Sequence, residues 1–182
     1  MNEENGYRIP LVKPQRVDAV RELEVSGPWL TKSDAALDVS LSMPLDELRD
    51  EFMACDPDEL AHVGTDIRGL RIYDVRGIEP GKVGGTEFHR VRQELAFCKR
   101  GAVEWVCQDV YGQIRTFVLT QANAVRVPPF IKHTYKALET SDLQVVANTL
   151  YNADNPRTHD TFSAADFDIL KKSFNGASPA GK

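Results

Sequence analysis

The chain has 182 residues, 42% apolar and 27% charged, with a formal net charge of -5. This is the composition of one ordinary globular domain with an extension, long enough to bury a core without staples. The acidic balance argues against nucleic acid or an anionic membrane as the main partner, and no apolar run approaches the ~20 residues of a membrane span.

Residues 1–65 read as an N-terminal arm with one helix. The start, Met1-Asn2-Glu3-Glu4, is acidic and lacks the basic and apolar regions of a signal peptide, so the cytoplasm is the expected compartment. Pro10, Pro14, Gly27 and Pro28 with no sustained period predict an irregular stretch to about residue 40, holding one short strand and packed on the domain or on a partner. Ser42 to Ala54 predicts a helix: Ser42 can cap, Pro44 suits the first turn, and Leu45, Leu48 and Phe52 share a face. Asp56-Pro57 ends it.

From Ile67 the texture changes to short strands divided by turns, and residues 66–162 read as one β-domain. Candidate strands are Gly69–Val75, Gly84–His89, Leu95–Lys99, Val103–Val110, Gln113–Leu119, Ala124–Val127, Thr134–Leu138 and Leu143–Tyr151. That spacing indicates an all-β sandwich or small barrel, and Pro128-Pro129 marks a corner. Residues 163–182 read as a helix from Ala164 to about Phe174, started by Ser163 with Asp166 and stapled by Phe162 with Phe167, followed by a disordered tail. Cys55, Cys98 and Cys107 are odd in number and form no Cys-x-x-Cys, and Cys98 and Cys107, in apolar strand-like runs, read as reduced, buried thiols.

The chemistry is concentrated between Gly84 and His133. Glu87 and His89 are two apart and therefore share a strand face, with Glu94 close behind and His133 on a later strand. His89 is the natural proton shuttle, and Glu87 can act as its partner if burial raises it. Tyr73, Tyr135 or Tyr151 can supply a phenolic donor. The same atoms support a metal reading: Glu87, His89, Glu94 and His133 suit Fe(II), Mn(II), Ni(II) or Zn(II). A third reading makes His89 a structural residue of the wall. Lys82, Arg126, Lys132 and Lys136 are placed to meet a diphosphate if the mouth lies near both segments. Phe97 and Trp105 fill core, and Trp105 near the mouth could stack on a base. Arg90 and Arg92 alternate with the Glu87/His89 face and are expected to point away, toward solvent or another subunit. His62 and His159 read as surface histidines, and Gly84-Gly85 as a backbone bend.

At these residues the chain resembles the cupin superfamily. Glu87-x-His89, four residues, Glu94, six residues and Gly101 follow its first motif, with glutamate in place of the first histidine. Pro128-x-Phe130-x-x-His133 follows its second, with phenylalanine in place of glycine. From about Arg71 to Phe167 the chain looks most like the sugar-nucleotide branch, the dTDP-4-keto-6-deoxyglucose 3,4-ketoisomerases (WxcM-like proteins) and, more distantly, the 3,5-epimerases. The residues that carry this are Arg71-Ile72-Tyr73, Glu79-Pro80, Phe88-His89 with Gln93-Glu94, Asp109-Val110-Tyr111-Gly112 and Leu150-Tyr151-Asn152. Those isomerases carry Arg-Gly-x-His-x-His where this chain has Gly84-Gly85-Thr86-Glu87-Phe88-His89, so an arginine and a histidine of that motif are absent.

The resemblance implies a cupin jelly-roll barrel with short flanking helices, pairing as a homodimer through a sheet edge. It implies an isomerase or epimerase that moves a proton α to the ketone of a dTDP- or UDP-linked keto-deoxysugar without a cofactor. Glu87, His89 and Tyr135 would be catalytic, with Lys82, Arg126, Lys132, Tyr73 and Trp105 binding substrate. Two alternatives stay open: a metal-dependent small-molecule cupin and a non-catalytic sugar-binding cupin.

Overall fold

The structure, a computed structural model, describes residues 14–63, 66–155 and 159–175. A 3-10 turn at Val17–Ala19 leads into β1 (Arg21–Glu24) and the hairpin of β2 (Ser26–Leu30) and β3 (Ala36–Val39). Next come α1 (Leu45–Glu47), continued by a π turn at Leu48–Phe52, and α2 (Pro57–Val63). The β-domain follows with β4 (Arg68–Ile78), β5 (Val83–Phe88), β6 (Glu94–Arg100), β7 (Val103–Gln108) and β8 (Ile114–Leu119). It continues with β9 (Asn123–Val127), β10 (Lys132–Ala137), β11 (Ser141–Thr149) and β12 (Phe162–Ser163), and α3 (Ala164–Asn175) closes the described chain.

Ten strands form two antiparallel five-stranded sheets, ordered β1-β9-β6-β11-β4 and β12-β5-β10-β7-β8. Neighbours such as β5–β10 and β6–β11 are far apart in sequence, as jelly-roll crossovers require. The expected all-β cupin architecture with flanking helices is the one observed, although the strands stay in two facing sheets rather than one continuous cylinder. Alternation explains the layering. In β7 buried and half-buried residues alternate, so Val103, Trp105 and Cys107 face the core. Val125, Val127, Leu143 and Val145 meet them from the other sheet.

The arm holds three strands among its described residues where the sequence predicts one. β1 extends a sheet by pairing with β9, with Glu22 opposite Val125, and Val17 and Val20 insert into the main core. Asp109, itself buried, accepts the Val17 amide at 3.0 Å and so pins the arm down. The predicted helix begins at Leu45 rather than Ser42. Asp56-Pro57, read as a stop, also starts α2: the Asp56 carboxylate accepts the amides of Asp58 and Glu59 at 2.9 and 3.0 Å. At the other end, Ser163 and Asp166 exchange side-chain and backbone hydrogen bonds, and Phe162 stacks on Phe88. The tail predicted beyond residue 175 lies outside the described residues, as does the arm before residue 14.

Phe130, which stands where the second motif has glycine, adopts a backbone conformation that favours glycine. Phe130 has φ +61, in the left-handed region, while its ring is buried 6.3 Å from that of Phe88. Its buried ring, and its amide donating to the His89 carbonyl at 2.7 Å, hold the chain in this unfavourable conformation.

Candidate active site

Strand β5 ends at Phe88, and residues 89–93 turn through space before β6 begins at Glu94. Pairing of β5 with β10 sets His133 opposite Glu87, and the turn brings His89 back toward both. His89 Nε2 lies 3.8 Å from Glu87 and 3.6 Å from Glu94, while His133 Nε2 lies 3.3 Å from the second oxygen of Glu94. Glu94 also accepts the Tyr73 hydroxyl at 2.9 Å. Arg92 folds over this group, 3.5 Å from Glu87 and 3.4 Å from Glu94. Trp105 lies parallel to the His133 ring at 5.6 Å and forms a floor beneath it, with Tyr135 stacked beyond at 6.0 Å.

The cluster adjoins a cavity of about 470 Å³ lined by Arg71, Tyr73, Glu87, Arg92, Tyr151 and His159, among others. Arg71 Nε and Nη2 are buried there without a hydrogen-bond partner among the described residues. The guanidinium carbon sits over the rings of Tyr73 and Tyr151 at 5.4 and 5.6 Å, and Tyr151 stacks on His159 at 4.8 Å. The cavity lining therefore combines two guanidiniums, aromatic rings and one carboxylate, Glu87.

Burial and charge separate the protonation states. Burial, then the charge of Arg92, lowers His89 to about 3, so its ring is neutral at physiological pH. Burial alone would raise Glu94, but Arg92, His89 and His133 together hold it well below the usual carboxylate range. Glu87 goes the other way: its burial raises it, against the pull of Arg92. Burial also raises the hydroxyls of Tyr73 and Tyr135, with Glu94 adding to the first and Glu87 to the second. Two adjacent carboxyls are thus pushed apart, Glu94 into a fixed anion and Glu87 toward a group that can exchange a proton.

The structure brings together Glu87, His89, Glu94, His133 and Tyr73 from the predicted set, with Tyr135 and Trp105 behind them. Gly84 leaves room for Tyr135, since a Cβ there would lie 2.3 Å from its hydroxyl oxygen. The expected diphosphate ligands lie elsewhere. Lys82 is exposed and faces Glu79, Arg126 is tied to Glu51 and Gln93 on the other sheet, and Lys132 sits over Phe167. None of the three lines the cavity. Trp105, offered as a stacking platform, is buried under His133 instead.

Arg90 and Arg92, expected to point outward, are both buried. Arg90 pairs with Glu59 and Arg92 joins the cluster. Alternation fails for them because β5 has already ended. His159, expected on the surface, lines the cavity, and Arg71 and Tyr151 were not assigned to a binding role. Arg71 was legible: it lies two residues before Tyr73 and shares its strand face.

The donor set fits a divalent metal. Glu87, His89 and His133 each offer a ligand atom, all within 4.8 Å of one another, and His89 Nε2 is buried without a hydrogen-bond partner. Glu94, the fourth predicted ligand, is committed to Tyr73, Arg92 and His133.

No protein-family model matches the sequence, and no curated protein matches it significantly. Solved structures do match in fold. A 3,4-ketoisomerase from Helicobacter canadensis superposes with a TM-score of 0.56 at 14% identity, covering 86% of this chain and 97% of that one. The sugar 3,4-ketoisomerase QdtA from Thermoanaerobacterium thermosaccharolyticum, solved with TDP, gives 0.56 at 14% identity over 87% and 98%. The rmlC epimerase of Mycobacterium tuberculosis gives 0.52 at 16% identity over 79% and 70%. The chain thus shares its fold with cupin enzymes of sugar nucleotides.

Proposed function

We propose that the protein is an isomerase or epimerase of a nucleotide-linked keto-deoxysugar that works by proton transfer α to the ketone. One observation carries the reading. A carboxyl raised by burial, Glu87, lines a cavity and has the neutral, unpartnered Nε2 of His89 directly behind it. Glu87 takes the proton from the carbon beside the ketone, leaving an enolate whose oxygen is met by the guanidinium of Arg92. Return of the proton to the other carbon of the enediolate, with the hydroxyl proton passing to the former ketone oxygen, moves the ketone, and protonation of the same carbon by a donor on its opposite face epimerises it. Glu87 itself carries the proton between the two steps, and the neutral Nε2 of His89, 3.8 Å away, can accept a hydrogen bond from the protonated carboxyl. Arg71, with buried N–H groups that need an acceptor, suits an anionic group such as a diphosphate, and the Tyr151–His159 stack suits a flat ring. The fold shared with the TDP-bound 3,4-ketoisomerase supports the same substrate class.

Among the described residues no helix is long and apolar enough to cross a membrane. The three cysteines are free, which supports the cytoplasm, and the open edge of β4 with exposed Leu70 and Ile72 supports a homodimer. The Glu87–His89–His133 set favours one second reading, a divalent metal held by those three side chains. Such a metal would polarise the ketone as a Lewis acid.

The test is solvent deuterium exchange into dTDP-4-keto-6-deoxyglucose followed by mass spectrometry. Wild type should label the carbon α to the ketone, and Glu87→Gln should lower the rate at least 100-fold with substrate binding kept. Tight binding with no exchange in wild type would reduce the protein to a sugar-binding cupin.

A further inference from the structure

Asp160 lies in the segment between β11 and β12, some 70 residues from the motif, and nothing in the proposed chemistry uses it. It is buried at 2% exposure with φ +50, a left-handed conformation that aspartate tolerates better than most residues. Its carboxylate accepts the backbone amides of Arg90, Val91 and Arg92 at 3.1, 2.7 and 2.6 Å. Its own main-chain carbonyl lies 2.7 Å from Nδ1 of His89. On either side, His159 lines the cavity and Thr161 Oγ1 accepts Arg92 Nη2 at 2.8 Å. Three consecutive residues therefore grip the site from one strap.

We propose that Asp160 is a positioning residue that keeps the proton on Nδ1 of His89 and leaves the Nε2 lone pair facing Glu87. Arg92 Nη2 also lies 2.7 Å from Nδ1, and the two neighbours cannot both be served. Arg92 has Thr161 as an alternative acceptor, whereas a carbonyl oxygen can only accept, so the proton belongs on Nδ1. The other side of the ring agrees. A protonated Nε2 facing two carboxylates would close to about 2.7–2.9 Å, the length of a charge-assisted bond. The separations of 3.6 Å to Glu94 and 3.8 Å to Glu87 are those left by a bare nitrogen opposite oxygen. The carboxylate contributes indirectly: with three amides anchored, the turn carrying His89 and Arg92 cannot slide past the Asp160 carbonyl.

The catalytic consequence rests on the proposed role of Glu87 with His89 beside it, but the tautomer does not, and the test separates them. Long-range 1H–15N spectra of protein labelled at histidine nitrogen report which nitrogen carries the proton, without substrate. Wild type at pH 7 should show His89 with protonated Nδ1 and bare Nε2. Asp160→Ala should shift the ring toward the Nε2–H form or an averaged state. It should also lower kcat for exchange at least 10-fold with KM changed less than threefold. Asp160→Asn, which tolerates the same backbone and still accepts amide protons, should fall between the two, and it substitutes should the alanine variant not fold. A wild-type His89 protonated on Nε2 would overturn the proposal. So would an unchanged His89 spectrum in both variants. Loss of the spectral signature with no exchange activity even in wild type would leave the tautomer assignment standing and remove the isomerase.

Discussion

A neutral buried histidine has a thermodynamic consequence that needs no substrate. Burial and Arg92 lower His89 from 6.5 to about 3 in the folded protein, while the unfolded chain keeps the ordinary value. Below pH 6.5 the unfolded state therefore binds one proton that the folded state refuses, and stability falls as pH falls. The slope is about 1.4 kcal/mol per pH unit for one proton, so roughly 2 kcal/mol is lost between pH 7.5 and 5. His89→Gln removes the titrating group and keeps a neutral polar side chain. Urea melts of both proteins at half-unit pH intervals should give curves that converge by about 2 kcal/mol as the pH drops from 7.5 to 5. The window avoids Glu94, whose lowered carboxyl sheds its stabilising charge only below the ordinary value of 4.5. Glu87, raised by burial, gains relative stability as pH falls, but it is present in both proteins and cancels in the difference. Parallel curves across the window would refute a buried, neutral His89.

Phe130→Gly should relieve a left-handed backbone worth about 1–2 kcal/mol but delete a buried ring worth about 3–5 kcal/mol, a net loss of roughly 2–3 kcal/mol. An equal or higher Tm for this variant would mean that the ring is not what holds the turn. Chelation addresses the metal reading: protein stripped with EDTA and shown metal-free by elemental analysis should keep its deuterium exchange within twofold. Exchange lost on stripping and restored by Zn(II) or Mn(II) would assign the Glu87, His89 and His133 set to a metal.

Most of the β-domain was legible because period-2 alternation and turn residues carry it. β4 to β11 begin and end within a few residues of the predicted strands, and the capping pair at Ser163 and Asp166 forms as expected. The arm was not legible because β1 is a short run, Arg21–Glu24, whose apolar content does not mark it as a strand. It becomes one by lying against β9, a contact that spans about a hundred residues and leaves no local pattern. The same limit hid α2, whose inward residue is Glu59, a charge with no apolar period around it that is buried against Arg90. The site divides along this line. Glu87 and His133 sit on paired strands, β5 and β10, whereas His89, Arg92 and His159 lie outside strands, where alternation does not fix which way a side chain points.

Arg92 also makes a glutamate workable at position 87. A carboxylate set beside a second buried carboxylate would be repelled by it and held protonated. Here two carboxyls, Glu87 and Glu94, and two guanidiniums, Arg92 and Arg71, surround His89, which is neutral. With both carboxyls ionised those four charges cancel. When Glu87 takes a proton from a carbon acid, the wall is left with one net positive charge at the moment the substrate becomes an enolate anion. That charge appears with the developing negative one and is absent from the resting pocket, which is the condition for stabilising a transition state more than a bound ground state. A neutral histidine at position 87 would instead leave the pocket positive before reaction and doubly so after it. On this argument the glutamate and the inward-turned Arg92 work as a pair, and replacing either one alone unbalances the site.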